Sequence, residues 1–413
     1  MTDACDVLVV GAGLAGLQCA RELQAAGREV LVWDAADDVG GRIRTDRVDG
    51  FLVDRGFQVL NPAYPAVRRW VDVEDLSLQA FGAGLRVRRQ DSLEVLAHPV
   101  REPNLILQSL RSGLLDPRSL AGLLRWAAPA FINRRRHPGS DVPLRDALDR
   151  AGCSGGLRRA VDRFLSGVLL EDEGSTSNEF ALQLVRVFAT GVPGLPREGM
   201  QALPRQLASS LDIPVRTSTP VESITPDGNG VLVTAADSTL RARHVVLAAD
   251  PVNSARLAGG TVPAMKGVLT HWFAADTAPS GADMLHVDGR AHAAGPLVNA
   301  AVISNAAPSY APAGRHLIQT SALLGPGRPV PTDDDVLRHA ADLFGSSTAG
   351  WELVARHEVP QALPLQPPPL RSHQPVEGPS GLVICGDHRE TASINGALVS
   401  GHCAALAILG RPG

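Results

Sequence analysis

Residues 6–34 read DVLVVGAGLAGLQCARELQAAGREVLVWD and decide the fold of this chain. A short apolar run leads into Gly11, Gly13 and Gly16 in G-x-G-x-x-G spacing; a helical stretch and a second apolar run ending in Asp34 follow. This order predicts a βαβ unit in which Gly11 permits the tight turn, Gly13 lets backbone approach a pyrophosphate and Gly16 lets the helix pack closely. Asp34 is placed to accept a hydrogen bond from a ribose hydroxyl. The stretch therefore predicts a dinucleotide-binding domain.

The composition is that of a large globular protein with no electrostatic reason to bind nucleic acid. The chain has 413 residues, 44% hydrophobic and 20% charged, and its net charge is −4. Five cysteines without a C-x-x-C pair favour buried free thiols in a reducing compartment. Residues 1–6 are polar, unlike a signal peptide, and no apolar run approaches the ~20 residues of a membrane span. We expect a cytoplasmic protein, and peripheral membrane contact through the middle of the chain stays open.

The C-terminal stretch 381–409, GLVICGDHRETASINGALVSGHCAALAIL, repeats the strand-to-helix arrangement. An apolar strand runs into Gly386-Asp387, and a helix of small residues follows. The N-terminal end of such a helix holds an anion or a polarised carbonyl. We therefore expect both ends of the chain to contribute to one ligand site.

Further motifs follow the first acid and give the sequence a family resemblance. The sequence resembles the flavin-containing amine oxidase, protoporphyrinogen oxidase and phytoene desaturase superfamily. The resemblance rests on GAGLAGL, WD, GGRIRT, DG and DRGF near the N-terminal end, and on CGDHRETASINGALVSGHCAA near the C-terminal end. The resemblance implies FAD as cofactor. It also implies an α/β fold: a Rossmann-type FAD-binding domain of the glutathione-reductase-like two-dinucleotide-binding type, with an interleaved α+β substrate domain.

The resemblance also implies which residues hold the cofactor. The amides of Asn395, Gly396 and Ala397 would face flavin N1 and O2, where negative charge collects on reduction. Arg42 would offer charge to the diphosphate, and Asp387 would bind the ribityl chain or reach the diphosphate through water. Cys385 does not match the position of covalent attachment, so FAD is expected to bind non-covalently. The full predicted set is Gly11, Gly13, Ala15, Gly16, Asp34, Ala35, Gly41, Arg42, Gly56, Phe57, Gln58, Val221, Gly386, Asp387, Asn395, Gly396 and Ala397.

The segments between the two ends suggest two discontinuous domains. We predict that residues 1–75, 200–260 and 378–413 form the FAD-binding domain. Residues 76–199, with Leu-rich amphipathic segments that predict a helical insertion, and residues 261–377 would form the substrate domain.

Two segments carry more specific expectations. Residues 213–224 are expected to be one strand region, and the following PDGNG is expected to turn at Asn229-Gly230. The proline-rich stretch 359–379 is expected to be a semi-rigid spacer back to the last strand.

Few side chains are expected to take part in the chemistry, because a flavin carries it. In many amine oxidases a lysine at the start of a substrate-domain strand holds a water at flavin N5. Lys266, the only lysine of the chain, precedes such a strand, and an ordinary surface lysine is the alternative. A complete aromatic cage is not evident, since the chain has two tyrosines. Metal-ligand spacing is also missing, so no metal is expected.

The sequence therefore predicts an FAD-dependent oxidoreductase that removes a hydride from an amine or hydrophobic small molecule, with reoxidation by O2 or another acceptor. Dehydrogenation of the phytoene desaturase or protoporphyrinogen oxidase kind is the alternative. A flavin-dependent isomerase without net redox and a non-catalytic flavin binder remain open. Substrate identity, electron acceptor and oligomeric state are not indicated.

Overall fold

The computed structural model describes residues 3–132, 139–228 and 230–411. Its strands, in chain order, are β1 (Asp3–Val10), β2 (Val30–Trp33), β3 (Thr45–Val48), β4 (Phe51–Asp54), β5 (Gln79–Ala80), β6 (Gly84–Arg88), β7 (Leu93–Ala97), β8 (Gly194–Leu195), β9 (Val221–Asp227), β10 (Gly230–Ala235), β11 (Ser238–Leu247), β12 (Met265–Ala275), β13 (Leu285–Asp288), β14 (Leu297–Val302), β15 (His316–Leu324), β16 (Glu352–Pro364) and β17 (Val383–Ile384).

The α-helices connect and cover these strands. They are α1 (Leu14–Ala25), α2 (Pro65–Trp70), α3 (Ile106–Arg111), α4 (Pro117–Ala127), α5 (Leu144–Arg150), α6 (Gly155–Leu169), α7 (Asn178–Thr190), α8 (Ala202–Ser209), α9 (Pro251–Ala258), α10 (Ile303–Ala306), α11 (Asp333–Phe344) and α12 (Ile394–Ile408). Among the described residues, none of these helices combines the length and apolar character needed to cross a bilayer.

The first sheet is assembled from both ends of the chain. Its strand order is β2-β1-β11-β10-β9, and β17 pairs with the other side of β11. Strands β2, β1, β11 and β17 run parallel, and β10 and β9 are antiparallel additions. Val7, Leu8 and Val9 of β1 are fully buried, as expected for a parallel strand that is covered on both faces. Because β17 ends beside β11, helix α12 begins at the edge of the sheet where β1 also ends.

The second sheet has seven strands in the order β16-β12-β15-β14-β13-β6-β7. Helix α11 packs its Val336, Ala340 and Leu343 on one face, opposite Leu269 and Phe273 of β12. Helix α6 approaches the other face, where the Asn299 side chain lies against Gly167. This inner face also packs against the first strands of the chain, because Trp272 lies in the same hydrophobic core cluster as residues of β1 and β4.

A layer of helices α4 to α7 lies beside the second sheet. Its core joins Trp126 of α4 to Leu148, Leu165 and Phe180 of the following helices, and it reaches Ala392 just before α12. Residues 76–199 therefore contain helices α3 to α7, and residues 84–97 among them contribute strands β6 and β7 to the second sheet.

Two local predictions differ from the structure. Within 213–224 a regular strand begins only at Val221; Pro214, Pro220 and the left-handed Ser218 (φ 51°) interrupt the preceding residues. The proline-rich stretch is not a spacer throughout, because β16 continues to Pro364. Strand β16 is the edge of its sheet, where a proline costs no ladder hydrogen bond. The turn predicted at Asn229 lies outside the described residues.

Candidate active site

The three glycines of the first loop have three different surroundings. A Cβ on Gly11 would lie 2.6 Å from the Ala248 carbonyl oxygen, and a Cβ on Gly16 would lie 2.0 Å from the Gly11 carbonyl oxygen. A Cβ on Gly13 would meet nothing within 4 Å among the described residues. Gly11 and Gly16 are therefore required by packing, whereas the open side of Gly13 is a cradle that a ligand can enter.

Asp34 holds this loop in place. One carboxylate oxygen accepts the Ala12 N–H at 2.5 Å, and the other accepts the Ala36 N–H at 2.7 Å. Each oxygen has a second lone pair, so the carboxylate retains capacity for a ribose hydroxyl. Ala35 beside it is exposed, and Val221 is buried at the first position of β9.

Arg42 and Asp387 form a bidentate ion pair between the two ends of the chain. Arg42 Nη2 lies 2.5 Å from Asp387 Oδ1, and Nη1 lies 2.9 Å from Oδ2. Arg42 Nη1 also donates to the Ala362 carbonyl at 2.7 Å. The Asp387 side chain is 5% exposed and that of Arg42 30%. Two residues predicted separately for the diphosphate and the ribityl chain thus meet directly, and Arg42 also connects them to the end of β16.

The DRGF motif places Gly56, Phe57 and Gln58 beside this pair. Gln58 Nε2 donates to the Arg42 carbonyl at 2.7 Å, while Gln58 Oε1 is buried without a hydrogen-bond partner in the described part of the chain. Gly56 has φ 89°, and a Cβ there would lie 3.8 Å from a methyl of Val268. The Phe57 ring packs edge-on against Phe81. The motif therefore lies against the inner face of the second sheet.

Two of the first backbone N–H groups of helix α12 already have hydrogen-bond partners. Ser393 caps the helix: its Oγ accepts the Gly396 N–H at 3.0 Å, and its carbonyl accepts the Ala397 N–H at 3.0 Å. The Asn395 side chain accepts the Ala66 N–H at 3.0 Å. Of the three predicted amide donors, the Asn395 N–H alone has no partner among the described residues.

The residues that follow β17 include a buried polar atom without a hydrogen-bond partner in the described part of the chain. Gly386 (φ 148°) donates its N–H to Ser400 Oγ at 3.0 Å. His388 Nδ1 is buried without a partner among the described residues. Burial lowers the pKa of His388 to about 4, with the nearby Asp387 carboxylate opposing this shift. Together with Gly13 and Gln58, these groups leave a cradle with unsatisfied donors and acceptors, which fits a polar cofactor such as FAD.

Lys266 is buried, with 8% of its surface exposed. Its ammonium donates to the Leu169 carbonyl at 3.0 Å and to Thr176 Oγ1 at 2.9 Å. Burial lowers the pKa of Lys266 to about 8, and the carboxylate of Glu171 opposes this shift. The only lysine of the chain is therefore held between β12 and the α6–α7 connection, in a state that loses its proton close to neutral pH.

A row of buried polar side chains on the inner face of the second sheet was missed from the sequence. Thr270 pairs across the sheet with Ser321, and Ser321 with Asn299. Gln319 Nε2 donates to Ser321 Oγ at 2.5 Å. Thr270 Oγ1, Asn299 Oδ1 and Gln319 Oε1 have no partner in the described part of the chain, and these residues are at most 3% exposed. Buried polar atoms without a partner are rare, so this row is prepared for a ligand or ordered water.

Strand alternation places this row on the same face as Lys266. Lys266, Val268 and Thr270 are two residues apart along β12, so their side chains point to one side of the sheet. Gly56 approaches the same face at Val268. The signal was present in the sequence, since Asn299 interrupts the otherwise apolar β14 and Gln319 begins the polar triplet 319–321 within β15.

Asp54, the last residue of β4, is a buried carboxylate with hydrogen-bond partners from distant parts of the chain. Its Oδ1 accepts the Thr45 hydroxyl at 2.5 Å and the Met200 N–H at 3.1 Å, and its Oδ2 accepts the Tyr310 hydroxyl at 3.0 Å. Its backbone carbonyl accepts the indole N–H of Trp272. Burial raises the pKa of Asp54 to about 6, although the three donated hydrogen bonds oppose this shift.

The chain is similar in sequence to known flavoproteins. A model of the family described as flavin containing amine oxidoreductase matches residues 14–409. The chain belongs to this family. Putrescine oxidase from Kocuria rosea is 28% identical over 282 residues, which cover 60% of this chain and 57% of the relative. The match therefore spans little more than half the length of that relative.

Solved structures of the family share the fold. A candidate protoporphyrinogen oxidase from Exiguobacterium sp. 255-15 superimposes with a TM-score of 0.75 at 16% identity, covering 100% of both chains. Putrescine oxidase bound to putrescine gives a TM-score of 0.72 at 18% identity, again covering 100% of both. At these identities the likeness shows the fold alone.

These comparisons confirm the predicted family, its FAD cofactor and a mixed α/β fold. The domain boundaries, the individual site residues and non-covalent binding stay predictions.

A cluster of possible metal ligands lies away from this site. Asp288, His339 and Asp342 bring ligand atoms within 4.8 Å of one another. Arg290 is inserted among them and pairs with both carboxylates. The guanidinium thus supplies the positive charge that the cluster needs, and we assign no metal to it.

The raised pKa of Asp54 predicts a specific pH dependence of stability. The folded protein binds a proton at this carboxyl near pH 6, whereas the unfolded chain releases it near pH 4. The contribution of Asp54 to the free energy of unfolding is therefore largest below pH 4 and falls as pH rises to about 6, in total by about 3 kcal/mol. Asp54→Asn should remove this decline, as measured by urea unfolding at several pH values.

Asp46→Asn is the matched control. Its ion pair with Arg55 lowers the pKa of Asp46, so its stabilising contribution is lost as pH falls, the opposite sign. An unchanged decline between pH 4 and 6 in Asp54→Asn would contradict the assignment to Asp54.

Proposed function

We propose that this chain is an FAD-dependent oxidoreductase that takes a hydride from the carbon next to nitrogen in an amine-type substrate and passes the electrons to O2 or another acceptor. The observation that carries the proposal is the polar cradle built from both ends of the chain, with the open side of Gly13, the free Gln58 Oε1 and the free Asn395 N–H. Membership in the flavin containing amine oxidoreductase family supports it. When bound, FAD would supply the hydride acceptor at its N5 atom.

The protein supplies binding and electrostatics around the cofactor. The loop with Gly11, Gly13 and Gly16 would receive the diphosphate, and Arg42 would balance its charge. Helix α12 begins at Ile394, and the positive end of its dipole, with the Asn395 N–H, would stabilise negative charge on the flavin pyrimidine. Because these donors are fixed by Ser393 and by packing, they need little reorganisation during the reaction.

The inner face of the second sheet would hold the substrate. Asn299 Oδ1, Gln319 Oε1 and Thr270 Oγ1 are acceptors without donors among the described residues. An amine substrate can donate N–H hydrogen bonds to these unpartnered acceptors, whereas a polyene has no hydrogen-bond donor. This difference favours an amine over a hydrocarbon.

Lys266 would act beside this row by holding a water at the flavin. Its depressed pKa of about 8 allows it to exchange a proton with that water near neutral pH. Lys266→Met should retain FAD, because the lysine lies outside the predicted cofactor set. Reduction of the flavin by amine should slow by about 100-fold or more. The pH dependence centred near 8 in the unaltered protein should disappear from the reductive rate, measured by anaerobic stopped flow.

Thr176→Val is the control for Lys266. It removes one hydrogen-bond partner of the ammonium and keeps the lysine, so it tests the structural contribution alone. Equal rates of reduction in Lys266→Met and the unaltered protein would assign Lys266 a purely structural role.

The proposed function is tested by the anaerobic visible spectrum of the purified protein during titration with amines and then with polyenes. We expect a flavin band that amines bleach. The absence of flavin even after FAD is added would overturn the central claim. Bleaching by polyenes alone would support a desaturase, and turnover without an acceptor would support an isomerase. A band that no substrate bleaches would support a non-catalytic binder.

Acid precipitation should release all flavin into solution if binding is non-covalent.

A further inference from the structure

Exposed apolar side chains are concentrated in one segment of the chain, from the turn before α3 to the residues just after α4. Eleven large hydrophobic residues are exposed among the described residues, and seven of them lie within 100–132. We call these seven the apolar outer face: Val100, Leu107, Leu110, Leu120, Leu124, Phe131 and Ile132. Leu107, Leu110 and Leu124 are each more than 60% exposed. Exposed apolar residues in such number mark a surface that contacts a membrane or another molecule.

Helices α3 and α4 each expose two leucines on their outer face. Leu107 and Leu110 share one face of α3, and Leu120 and Leu124 share one face of α4, all pointing outward. The buried positions are Ser109 in α3 and Ser119, Gly122 and Trp126 in α4. Ser109 Oγ accepts the Ala97 N–H at 3.0 Å. A surface helix normally places its leucines against the core.

Inward hydrogen bonds fix this orientation. Ser119 of α4 donates to the Ser154 carbonyl at 2.8 Å, and the indole N–H of Trp126 donates to Asn178 at 2.8 Å. A Cβ on Gly122 would lie 2.7 Å from the backbone of Gly152, so α4 sits directly on the next segment. The leucines of α4 therefore face outward, because hydrogen bonds and close packing fix the opposite face of the helix against its neighbours.

The charges around this face are mainly positive. Residues 100–132 contain four arginines and two acids, although the whole chain has a net charge of −4. Arg111, Arg118 and Arg125 are exposed, and the one exposed acid of the segment, Asp116, accepts two N–H groups as the N-cap of α4. Leucines flanked by arginines match the apolar interior and anionic headgroups of a phospholipid surface.

We propose that the apolar outer face docks on an anionic phospholipid membrane as a peripheral contact. A second copy of this chain fits less well, because a two-fold interface would bring Arg111, Arg118 and Arg125 towards their own counterparts. The surface also lies on the layer that closes over Lys266, since α6 and the segment before α7 hold its ammonium. The proposal is independent of the proposed reaction.

The test is co-sedimentation of the FAD-loaded protein with vesicles of phosphatidylcholine, alone or mixed with phosphatidylglycerol. We expect binding to the mixed vesicles that weakens as salt rises. Leu120→Gln with Leu124→Gln should reduce the partition coefficient about tenfold or more, because two leucines no longer enter the lipid. Val262→Gln with Val330→Gln is the matched control: both valines are 50% exposed elsewhere, and binding should not change.

Arg111→Gln with Arg118→Gln separates the electrostatic part. This variant should lose the preference for phosphatidylglycerol and its salt dependence. Absence of binding to either vesicle would overturn the proposal. So would a concentration-dependent dimer, seen by sedimentation, that Leu120→Gln with Leu124→Gln dissociates, since the face would then bind a second copy.

Discussion

Gly13→Val should yield a folded, colourless protein that does not take up added FAD. Gly13 has φ −75° and ψ 178°, an extended conformation that valine readily adopts. No described atom lies within 4 Å of the added Cβ, so the side chain enters the space proposed for the diphosphate rather than the protein interior. The expected loss is in cofactor binding, with the thermal midpoint of the apoprotein unchanged within a few degrees. Visible absorbance after FAD reconstitution and thermal unfolding of both apoproteins measure the two effects.

Valine substitutions at two other glycines are controls that distinguish a blocked cofactor site from a damaged fold. A Cβ on Gly281 also meets nothing within 4 Å and needs no positive φ, so Gly281→Val should remain yellow. Gly16→Val should be colourless for a different reason, because its Cβ would lie 2.0 Å from the Gly11 carbonyl and the βαβ unit would not form. A fully yellow Gly13→Val protein would show that the diphosphate lies elsewhere.

The N-terminal half of the cradle could be predicted because its information is local. Strand β1, the glycine loop and helix α1 are encoded within residues 3–25, where backbone conformation and close packing demand glycine at fixed spacing. Gly11 has the positive φ of a tight turn and Gly16 is closely packed, whereas the role of Gly13 at a pyrophosphate stays a prediction. Family membership could be predicted for the same reason, since its motifs are short and ordered along the chain.

Contacts between distant segments could not be predicted in this way. Arg42 and Asp387 are 345 positions apart, and spacing along the chain does not show that each is the other's partner. The acceptor row of Thr270, Asn299 and Gln319 depends on strand register, which pairs β12, β14 and β15 in an order different from the sequence. The exposed leucines of α3 and α4 indicate helices, but their period alone does not show which face is buried.

The ion pair of Arg42 with Asp387 should contribute strongly to the stability of the folded chain. Arg42→Met leaves the Asp387 carboxylate, only 5% exposed, without its counter-charge. We expect the free energy of unfolding of the apoprotein to fall by about 3 kcal/mol, because an unpaired buried charge keeps its desolvation penalty. FAD affinity should fall as well, since Arg42 would no longer join the N-terminal loop to Ala362. Urea unfolding and FAD titration measure these effects.

A double-mutant cycle distinguishes loss of the pair from loss of packing. Arg42→Met with Asp387→Leu removes both charges and should be more stable than Arg42→Met alone, because no unpaired carboxylate remains. The matched control is Arg47→Met at the exposed pair with Glu198, whose side chains are 62% and 67% exposed. That substitution should cost less than about 1 kcal/mol, because water screens the pair. Equal losses for Arg42→Met and Arg47→Met would contradict a structural role for the pair, and Arg42 would then act on the cofactor alone.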